Sequence, residues 1–154
     1  MGLVSKEEIR NRIIRIIAAT RFPFVDQTDW GEGYVAVVND EVKRRGIETA
    51  EGIVYPSIVI TLADGRMQEI GEVEPEDGVT VAQVPKWKLF SETAGMGRRV
   101  KKFFLYVPEG LEEKAQRLLE NNKIEYAGLR TYAISDGNLV VTPITTPDGE
   151  HDHR

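Results

Sequence analysis

Cysteine is absent from this chain of 154 residues, which excludes disulfide bonds, thiolate metal sites and cysteine nucleophiles. Histidine is nearly absent, because its two copies, His151 and His153, both lie among the last four residues. A Ser-His-Asp catalytic triad is therefore not expected. No stretch approaches the roughly 18 consecutive apolar residues of a membrane span, and the first residues lack the apolar run of a signal peptide. We expect a cytoplasmic protein with no membrane partner.

Positive charge is in deficit, since 20 lysines and arginines stand against 25 aspartates and glutamates, for a net charge of -5. This balance argues against indiscriminate coating of nucleic acid and leaves a local basic groove open. The hydrophobic fraction of 41% and the charged fraction of 29% are typical of a folded soluble protein. The length predicts a single domain over residues 1–145. Residues 146–154 form a tail that we expect to be too polar to pack and to be disordered.

Periodicity and turn signals predict an α/β fold. Ser5 and Glu8 form a capping box, and isoleucines at helical spacing follow, which predicts a helix over residues 5–21. Residues 34–45 fit either a strand or a capped helical turn. We further predict strands at 53–61, 102–107, 128–135 and 139–144, and helices at 79–93, with Pro85 as its start or a kink, and at 111–121. This order predicts a mixed central β-sheet flanked by helices.

The dipeptide Asp64-Gly65 predicts a β-hairpin with these two residues as its loop. With residues 64 and 65 as the loop, the residue numbers of every cross-strand pair add up to 129. Ser57 therefore faces Glu72 across the two strands. Paired residues share a face of the sheet, and this face also collects Glu74 and other polar side chains. The opposite face is apolar except for Glu69. Any chemistry of the hairpin should therefore lie on the face of Ser57.

The second hairpin strand ends in an acidic cluster, with five acids and no basic residue between positions 69 and 77. Glu72 and Glu74 are two residues apart on a strand, so their carboxylates project to one side. At that separation they can share a hard cation such as Mg²⁺ or Mn²⁺. We select both as candidate metal ligands and catalytic residues. The alternative is a solvated, acidic strand edge.

A basic segment follows the acidic one along the chain. Lys86 and Lys88 lie on the predicted helix, and we assign to one of them an electrostatic role in catalysis. Beyond the glycines that end this helix lie four cations that we assign to the phosphates of a nucleic acid: Arg98, Arg99, Lys101 and Lys102. The alternative is that these cations pair with the neighbouring acids of the same chain.

The segments 55–60, 70–74 and 103–108, together with the hairpin and the helix between them, resemble the restriction-endonuclease-like PD-(D/E)XK superfamily. The resemblance covers about residues 5–135. In that superfamily a Pro-Asp at one strand and a Glu-x-Lys on the next hold a divalent metal ion and an activated water for phosphodiester cleavage. Here Pro56-Ser57 stands at the first motif and Glu72-Val73-Glu74 at the second. The implied fold is a mixed central sheet with helices on both faces.

Two positions depart from the superfamily pattern. Ser57 replaces the metal-binding aspartate, which removes one negative charge and one good ligand for a hard cation. Glu74 replaces the lysine, although some active members of the superfamily have an acid there. Glu69, Asp77 or Asp40 are the candidates to replace the missing ligand, but Glu69 points to the opposite face in the predicted register.

Three functions are compatible with these features. The first is a nuclease that binds Mg²⁺ or Mn²⁺ weakly through Glu72 and Glu74. The second is a catalytically inactive nuclease fold that binds nucleic acid or protein. The third is a non-enzymatic structural or interaction domain, which an exposed apolar surface around Tyr55 and Trp87 would favour. The expected partners are nucleic acid or a second copy of the chain in a homodimer.

Overall fold

The computed structural model describes residues 5–23, 27, 30–149, 152 and 154. None of the helices in these ranges is long and apolar enough to cross a lipid bilayer. Two short 3-10 turns, Glu76–Gly78 and Val81–Gln83, precede the second helix. The helices and strands are α1 (Lys6–Arg21), β1 (Val35–Val38), β2 (Ile47–Thr49), β3 (Gly52–Val54), β4 (Ile58–Thr61), β5 (Met67–Val73), α2 (Val84–Thr93), β6 (Phe103–Pro108), α3 (Glu112–Asn121), β7 (Gly128–Ser135) and β8 (Asn138–Thr145).

Among the described residues, six strands form one mixed sheet in the order β1-β4-β5-β6-β7-β8. The central strands β5, β6 and β7 are parallel, whereas β1, β4 and β5 form antiparallel pairs, as do β7 and β8. Strands β2 and β3 form a separate two-stranded sheet. Residues 103–107 of β6 are completely buried, as a continuous apolar run in a central strand predicts. The mixed sheet predicted from the sequence is therefore confirmed.

Helices cover both faces of this sheet. Ile14 and Ile17 of α1 pack in one core with Phe104 of β6. On the opposite face, Trp87 of α2 and Leu119 of α3 belong to a second core. Because side chains alternate between the two faces of a strand, successive residues of β5 and β6 reach the two cores in turn.

Local signals set the start of two helices. Ser5 caps α1, since its Oγ accepts a hydrogen bond of 3.0 Å from the backbone N–H of Glu8, as the capping box predicts. Helix α2 begins at Val84, with Pro85 in its first turn, where the missing N–H of proline leaves no hydrogen bond unmade. Of the two predicted starts, residue 79 is wrong, and the alternative start at Pro85 is confirmed to within one residue.

The predicted continuous strand over residues 53–61 is wrong, because Val54 ends β3 of the two-stranded sheet and Ile58 begins β4 of the six-stranded sheet. Pro56 lies in this interruption, and it has no N–H to donate to a neighbouring strand. Its carbonyl accepts a hydrogen bond of 2.7 Å from the buried side chain of Asn39. The interruption ends at Ser57, which therefore directly precedes β4.

Asn39 follows β1, where the strand interpretation of residues 34–45 is confirmed over the four residues of that strand. Its side chain is buried and donates to the carbonyls of Arg45 and Pro56 at 2.6 and 2.7 Å. The same side chain accepts from the amides of Arg44 and Arg45 at 2.7 and 3.0 Å. One amide group thus fixes the loop after β1 against the segment that carries Ser57.

The hairpin between β4 and β5 has the predicted register over the residue pairs next to Ser57 and Glu72. Val59 pairs with Ile70, and the flanking pairs also sum to 129. The predicted two-residue tip is wrong, because the N–H of Leu62 donates to the carbonyl of Arg66, which leaves residues 63–65 as a three-residue loop. Gly65 occupies the left-handed conformation that such loops require, with φ of +90°. A bulge at residue 68 then restores the predicted register.

Two described residues of the polar tail are buried against the domain, although the tail was expected to be too polar to pack. Asp148 and Arg154 are 5% and 4% exposed. Asp148 accepts hydrogen bonds from the backbone amides of Arg98 and Arg99. Polarity does not prevent packing here, because these charged groups find charged or hydrogen-bonding partners inside the protein.

Replacing Asn39 with alanine should destabilise the protein by about 2–3 kcal/mol, because buried amide and carbonyl groups lose their partners. Urea denaturation measures this loss. Asn122→Ala is a matched control, since the Asn122 side chain makes one hydrogen bond to the Leu118 carbonyl at a helix end. If Asn39→Ala lowers the free energy of unfolding no more than the control does, the role assigned to Asn39 is contradicted.

Candidate active site

Ser57, Glu72 and Glu74 lie together at one end of the β4–β5 pair. The Ser57 hydroxyl donates to Oε1 of Glu72 at 2.7 Å, and the Ser57 backbone N–H donates to the same oxygen at 2.8 Å. The hydroxyl oxygen in turn accepts from the backbone N–H of Val73 at 3.0 Å. The predicted placement of Ser57 opposite Glu72 is therefore confirmed.

Lys86 lies in the first turn of α2 and reaches both carboxylates. Its Nζ is 2.8 Å from Oε2 of Glu72 and 2.8 Å from Oε2 of Glu74. The next residue, Trp87, is fully buried and donates from its indole N–H to the same Glu74 oxygen at 2.7 Å. This indole anchors the start of α2 beside β5. Trp87 is thus a core residue, and it offers no exposed apolar surface to a partner.

Arg10 of α1 supplies a second cation that the sequence analysis missed. Its Nε donates to the Val73 carbonyl at 2.9 Å, and its Nη2 donates to the Ser57 hydroxyl at 3.1 Å. The same Nη2 is 3.5 Å from Oε2 of Glu72. Arg10 stands three and four residues before two buried isoleucines, at 13 and 14. This helical spacing was the signal that could have placed it beside the sheet.

The cluster buries two negative and two positive charges. The side chains of Glu72 and Glu74 are 2% exposed, whereas those of Arg10 and Lys86 are 18% and 25% exposed. Burial, together with the charge of Glu72, raises the pKa of Glu74. Burial lowers the pKa of Lys86, but the charges of Glu72 and Glu74 outweigh it and raise that pKa overall. The formal charges of the cluster therefore cancel, and burial disfavours the ionised form of Glu74.

The donor set does not match a resident divalent cation. Within the described ranges, no group of three or more acidic, histidine or cysteine side chains is placed to hold a metal ion. Mg²⁺ requires oxygen ligands at about 2.0–2.1 Å, but the space between Glu72 and Glu74 is taken by the ammonium group of Lys86. Ser57 contributes a neutral hydroxyl where a carboxylate would add charge.

The candidate replacement ligands lie elsewhere or are already paired. Glu69 is buried on the opposite face of the sheet, as the predicted register requires. Asp40 forms ion pairs with Arg15 and Arg44 at 3.2 and 3.0 Å. A hydrogen bond from the Val42 amide and these two arginines lower the pKa of Asp40 to about 2. Asp77 is exposed, in the 3-10 turn after β5.

Lys88 is not part of this cluster, in contrast to Lys86. It lines a separate cavity of about 470 Å³ beside α2 and the end of α3, which Lys101 also lines. Lys86 and Lys88 are two residues apart on a helix, a spacing that directs side chains to different sides. Of the two candidate lysines, only Lys86 contacts Glu72 and Glu74 within the described residues, and its electrostatic role in catalysis stays a prediction.

The predicted phosphate-binding cations lie at the other end of the sheet from the carboxylates. They directly precede β6, where Phe103 pairs with Ile70 of β5. Ile70 is four residues before Glu74 in the chain. At about 3.3 Å per residue, the start of β6 is therefore more than about 10 Å from Glu74 along the strand direction. Lys102 is buried, and Lys101 is half-buried. Arg98 and Arg99 are exposed and remain accessible to a partner.

No protein-family model, curated protein or solved structure matches this chain. His151 and His153, singled out in the tail, lie outside the described residues. The functional assignment therefore depends on the geometry of the cluster formed by Arg10, Ser57, Glu72, Glu74 and Lys86.

Replacing Glu74 with glutamine should change how stability depends on pH. Because its pKa is raised above the ordinary value of 4.5, the folded protein holds a proton on Glu74 more tightly than the unfolded chain does. The contribution of Glu74 to stability therefore falls as pH rises from about 4.5 through the raised value. Glutamine cannot ionise and removes this fall. Urea denaturation from acidic to neutral pH should show Glu74→Gln gaining stability relative to the wild type.

Glu76→Gln is the matched control, since Glu76 is an exposed carboxylate two residues along the chain. Its free energy of unfolding relative to the wild type should change little over the same pH range. A constant difference between Glu74→Gln and the wild type would contradict the raised pKa of Glu74.

Proposed function

We propose that this protein is a degenerate member of the restriction-endonuclease-like PD-(D/E)XK superfamily that binds nucleic acid without cleaving it. The first part of the proposal concerns the cluster around Glu72, where metal-dependent cleavage is lost. The second part concerns an exposed basic turn, Arg98-Arg99, that contacts phosphates.

The positions of the two motifs support membership of the superfamily. Pro56-Ser57 lies directly before β4, and Glu72-Val73-Glu74 lies at the end of β5, which is antiparallel to β4. Helix α2 then leads to β6, which is parallel to β5. Hairpin, helix and strand therefore follow in the order on which the resemblance is based.

The observation that carries the loss of cleavage is the position of the Lys86 ammonium group, 2.8 Å from one oxygen of each carboxylate. A metal ion shared by Glu72 and Glu74 would need that same position. Lys86 therefore acts as an internal cation. Ser57 strengthens this conclusion, because it lacks the charge with which an aspartate would help a metal ion to compete.

Metal-dependent cleavage is the second candidate function, and the partial exposure of Lys86 favours it. A side chain that is 25% exposed borders solvent, and an ammonium group on a flexible stem can turn towards water. Glu72 and Glu74 would then be open to Mg²⁺ or Mn²⁺. In that arrangement Lys86 would stabilise the negative charge of the reacting phosphate.

A combined cleavage and binding assay separates the two candidates. The full chain is incubated with single- and double-stranded DNA and RNA in the presence of Mg²⁺ or Mn²⁺. The proposal expects bound nucleic acid and no cleavage products. Metal-dependent products that disappear in Glu72→Gln would establish the second candidate, whereas the absence of both binding and products would favour a structural role.

Lys86→Ala should tighten Mg²⁺ binding relative to the wild type, because the internal cation no longer competes for the carboxylates. Isothermal titration should give an affinity in the millimolar range for the wild type. Lys88→Ala is the matched control, since Lys88 lies on the same helix but lines a different cavity. Equal affinities in the wild type and in Lys86→Ala would contradict the assignment of Lys86 as an internal cation.

Ser57→Asp tests the same site from the opposite strand. The added carboxylate lies within reach of Glu72, and like charges in a buried site favour a bound cation. Mg²⁺ should therefore raise the melting temperature of this variant more than that of the wild type. No difference would mean that the two strands do not form a common cation site.

The double substitution Arg98→Ala and Arg99→Ala should weaken nucleic-acid binding equally for all sequences. Each lost phosphate contact reduces the salt dependence of binding by about one unit of slope, so the expected reduction is about two units. Electrophoretic mobility shifts at several salt concentrations measure it. Arg117→Ala, at an exposed position on α3, is the control. A lower melting temperature with unchanged binding would instead assign the two arginines a structural role.

A further inference from the structure

Arg154 lies in a pocket on the face of the sheet opposite to Lys86. Its Nη1 is 2.7 Å from Oε1 of Glu69, a β5 side chain with no exposed surface. Its guanidinium carbon is 5.2 Å from the centre of the Phe104 ring of β6. The Arg154 side chain is itself only 5% exposed. A carboxylate and an aromatic face are two groups that a guanidinium binds well.

Arg130 of β7 holds the backbone of the same tail. Its guanidinium is completely buried and donates to the main-chain oxygens of Arg154 and Asp152 at 2.6 and 2.7 Å. The space for this guanidinium exists because residue 128 is glycine, where a Cβ would lie 2.8 Å from the Arg130 Cζ. Glu69 and Phe104 therefore contact the Arg154 side chain, while Arg130 contacts its main-chain oxygen.

Every nitrogen of the Arg154 guanidinium has a partner. Nη1 contacts Glu69, while Nε and Nη2 donate to the two carboxylate oxygens of Asp152 at 2.9 and 2.7 Å. This fork-shaped match requires a planar guanidinium, since an ammonium group presents its donors in a different geometry. Asp152, whose main-chain oxygen is held by Arg130, therefore makes the site selective for the shape of the ligand as well as for its charge.

We propose that Glu69, Phe104 and Asp152 form a guanidinium-binding pocket whose resident ligand is Arg154 of the same chain, with Arg130 holding Asp152 in place. Glu69, Phe104 and Arg130 come from three adjacent central strands, β5, β6 and β7, so this part of the site is built into the sheet. Its ligand comes from a polar segment beyond β8. The chemical class that it accepts is an alkylguanidinium, as in an arginine side chain. This proposal does not depend on nucleic-acid binding.

Chemical rescue tests the pocket directly in the full chain. Arg154→Ala leaves the Glu69 carboxylate buried without this partner, so the melting temperature should fall by about 10 °C. Millimolar ethylguanidinium chloride should restore a large part of the loss, because it binds the folded form alone. Ethylammonium chloride, with equal charge and a different shape, should restore much less. Equal effects of the two compounds, or no fall in Arg154→Ala, would overturn the proposal.

Arg66→Ala is a matched control for the ion pair. Arg66 contacts Asp64 at the same 2.7 Å as Arg154 contacts Glu69, but both side chains are exposed. Its removal should change the melting temperature little, and ethylguanidinium should have no specific effect.

If Arg154→Ala does not fold, the double variant Glu69→Gln and Arg154→Ala removes both charges. That variant should fold without responding to ethylguanidinium, and a response would overturn the role of Glu69.

The origin of the ligand is tested by protein concentration. Because Arg154 belongs to the same chain as its pocket, the wild-type melting temperature should not depend on concentration. A melting temperature that rises with concentration, together with a dimer in sedimentation, would show that a second copy supplies the arginine. That result would overturn the intramolecular assignment.

Discussion

The fold depends on the neutralisation of three glutamates that are buried in and directly after one strand, β5. Glu69 lies on one face of the sheet, whereas Glu72 and Glu74 lie on the other. A carboxylate removed from water is costly unless a cation and hydrogen bonds replace its hydration. Cations that contact them come from helix α1, helix α2 and the tail beyond β8: Arg10, Lys86 and Arg154.

These ion pairs specify positions more than they add stability. A buried pair gains little net free energy over an apolar one, but a carboxylate left without its cation costs about 3–5 kcal/mol. An arrangement that displaced α2 by one turn would remove Lys86 from both of its carboxylates. Arg10 similarly fixes α1, because its guanidinium must reach the Val73 carbonyl at the end of β5. The apolar cores hold the helices against the sheet, and the ion pairs determine the position of each helix along it.

The sequence predicted the elements whose signals are local. The capping box at Ser5, the proline in the first turn of α2 and the alternating pattern that pairs Ser57 with Glu72 all act within one helix or one hairpin. The interruption at Pro56 was missed because it depends on Asn39, a residue 17 positions away. The packing of the tail was missed for the same reason, since Glu69 and Arg154 are 85 residues apart. Composition marks such residues as polar, and only the tertiary structure shows that they are paired.

The neutral side chain of Ser57 and the two cations beside it, Arg10 and Lys86, are consistent with each other in charge. Glu72 and Glu74 carry two negative charges when ionised, and Arg10 and Lys86 carry two positive charges, the charge of one divalent metal ion. An aspartate at position 57 would add a third negative charge to a site that is already 98% buried at both glutamates, and the two cations could not balance it. A serine instead donates one hydrogen bond to Glu72 and accepts another from Arg10. The neutral residue at position 57 and the lysine between the carboxylates therefore form one self-consistent arrangement, in which two cations of the protein balance two buried carboxylates.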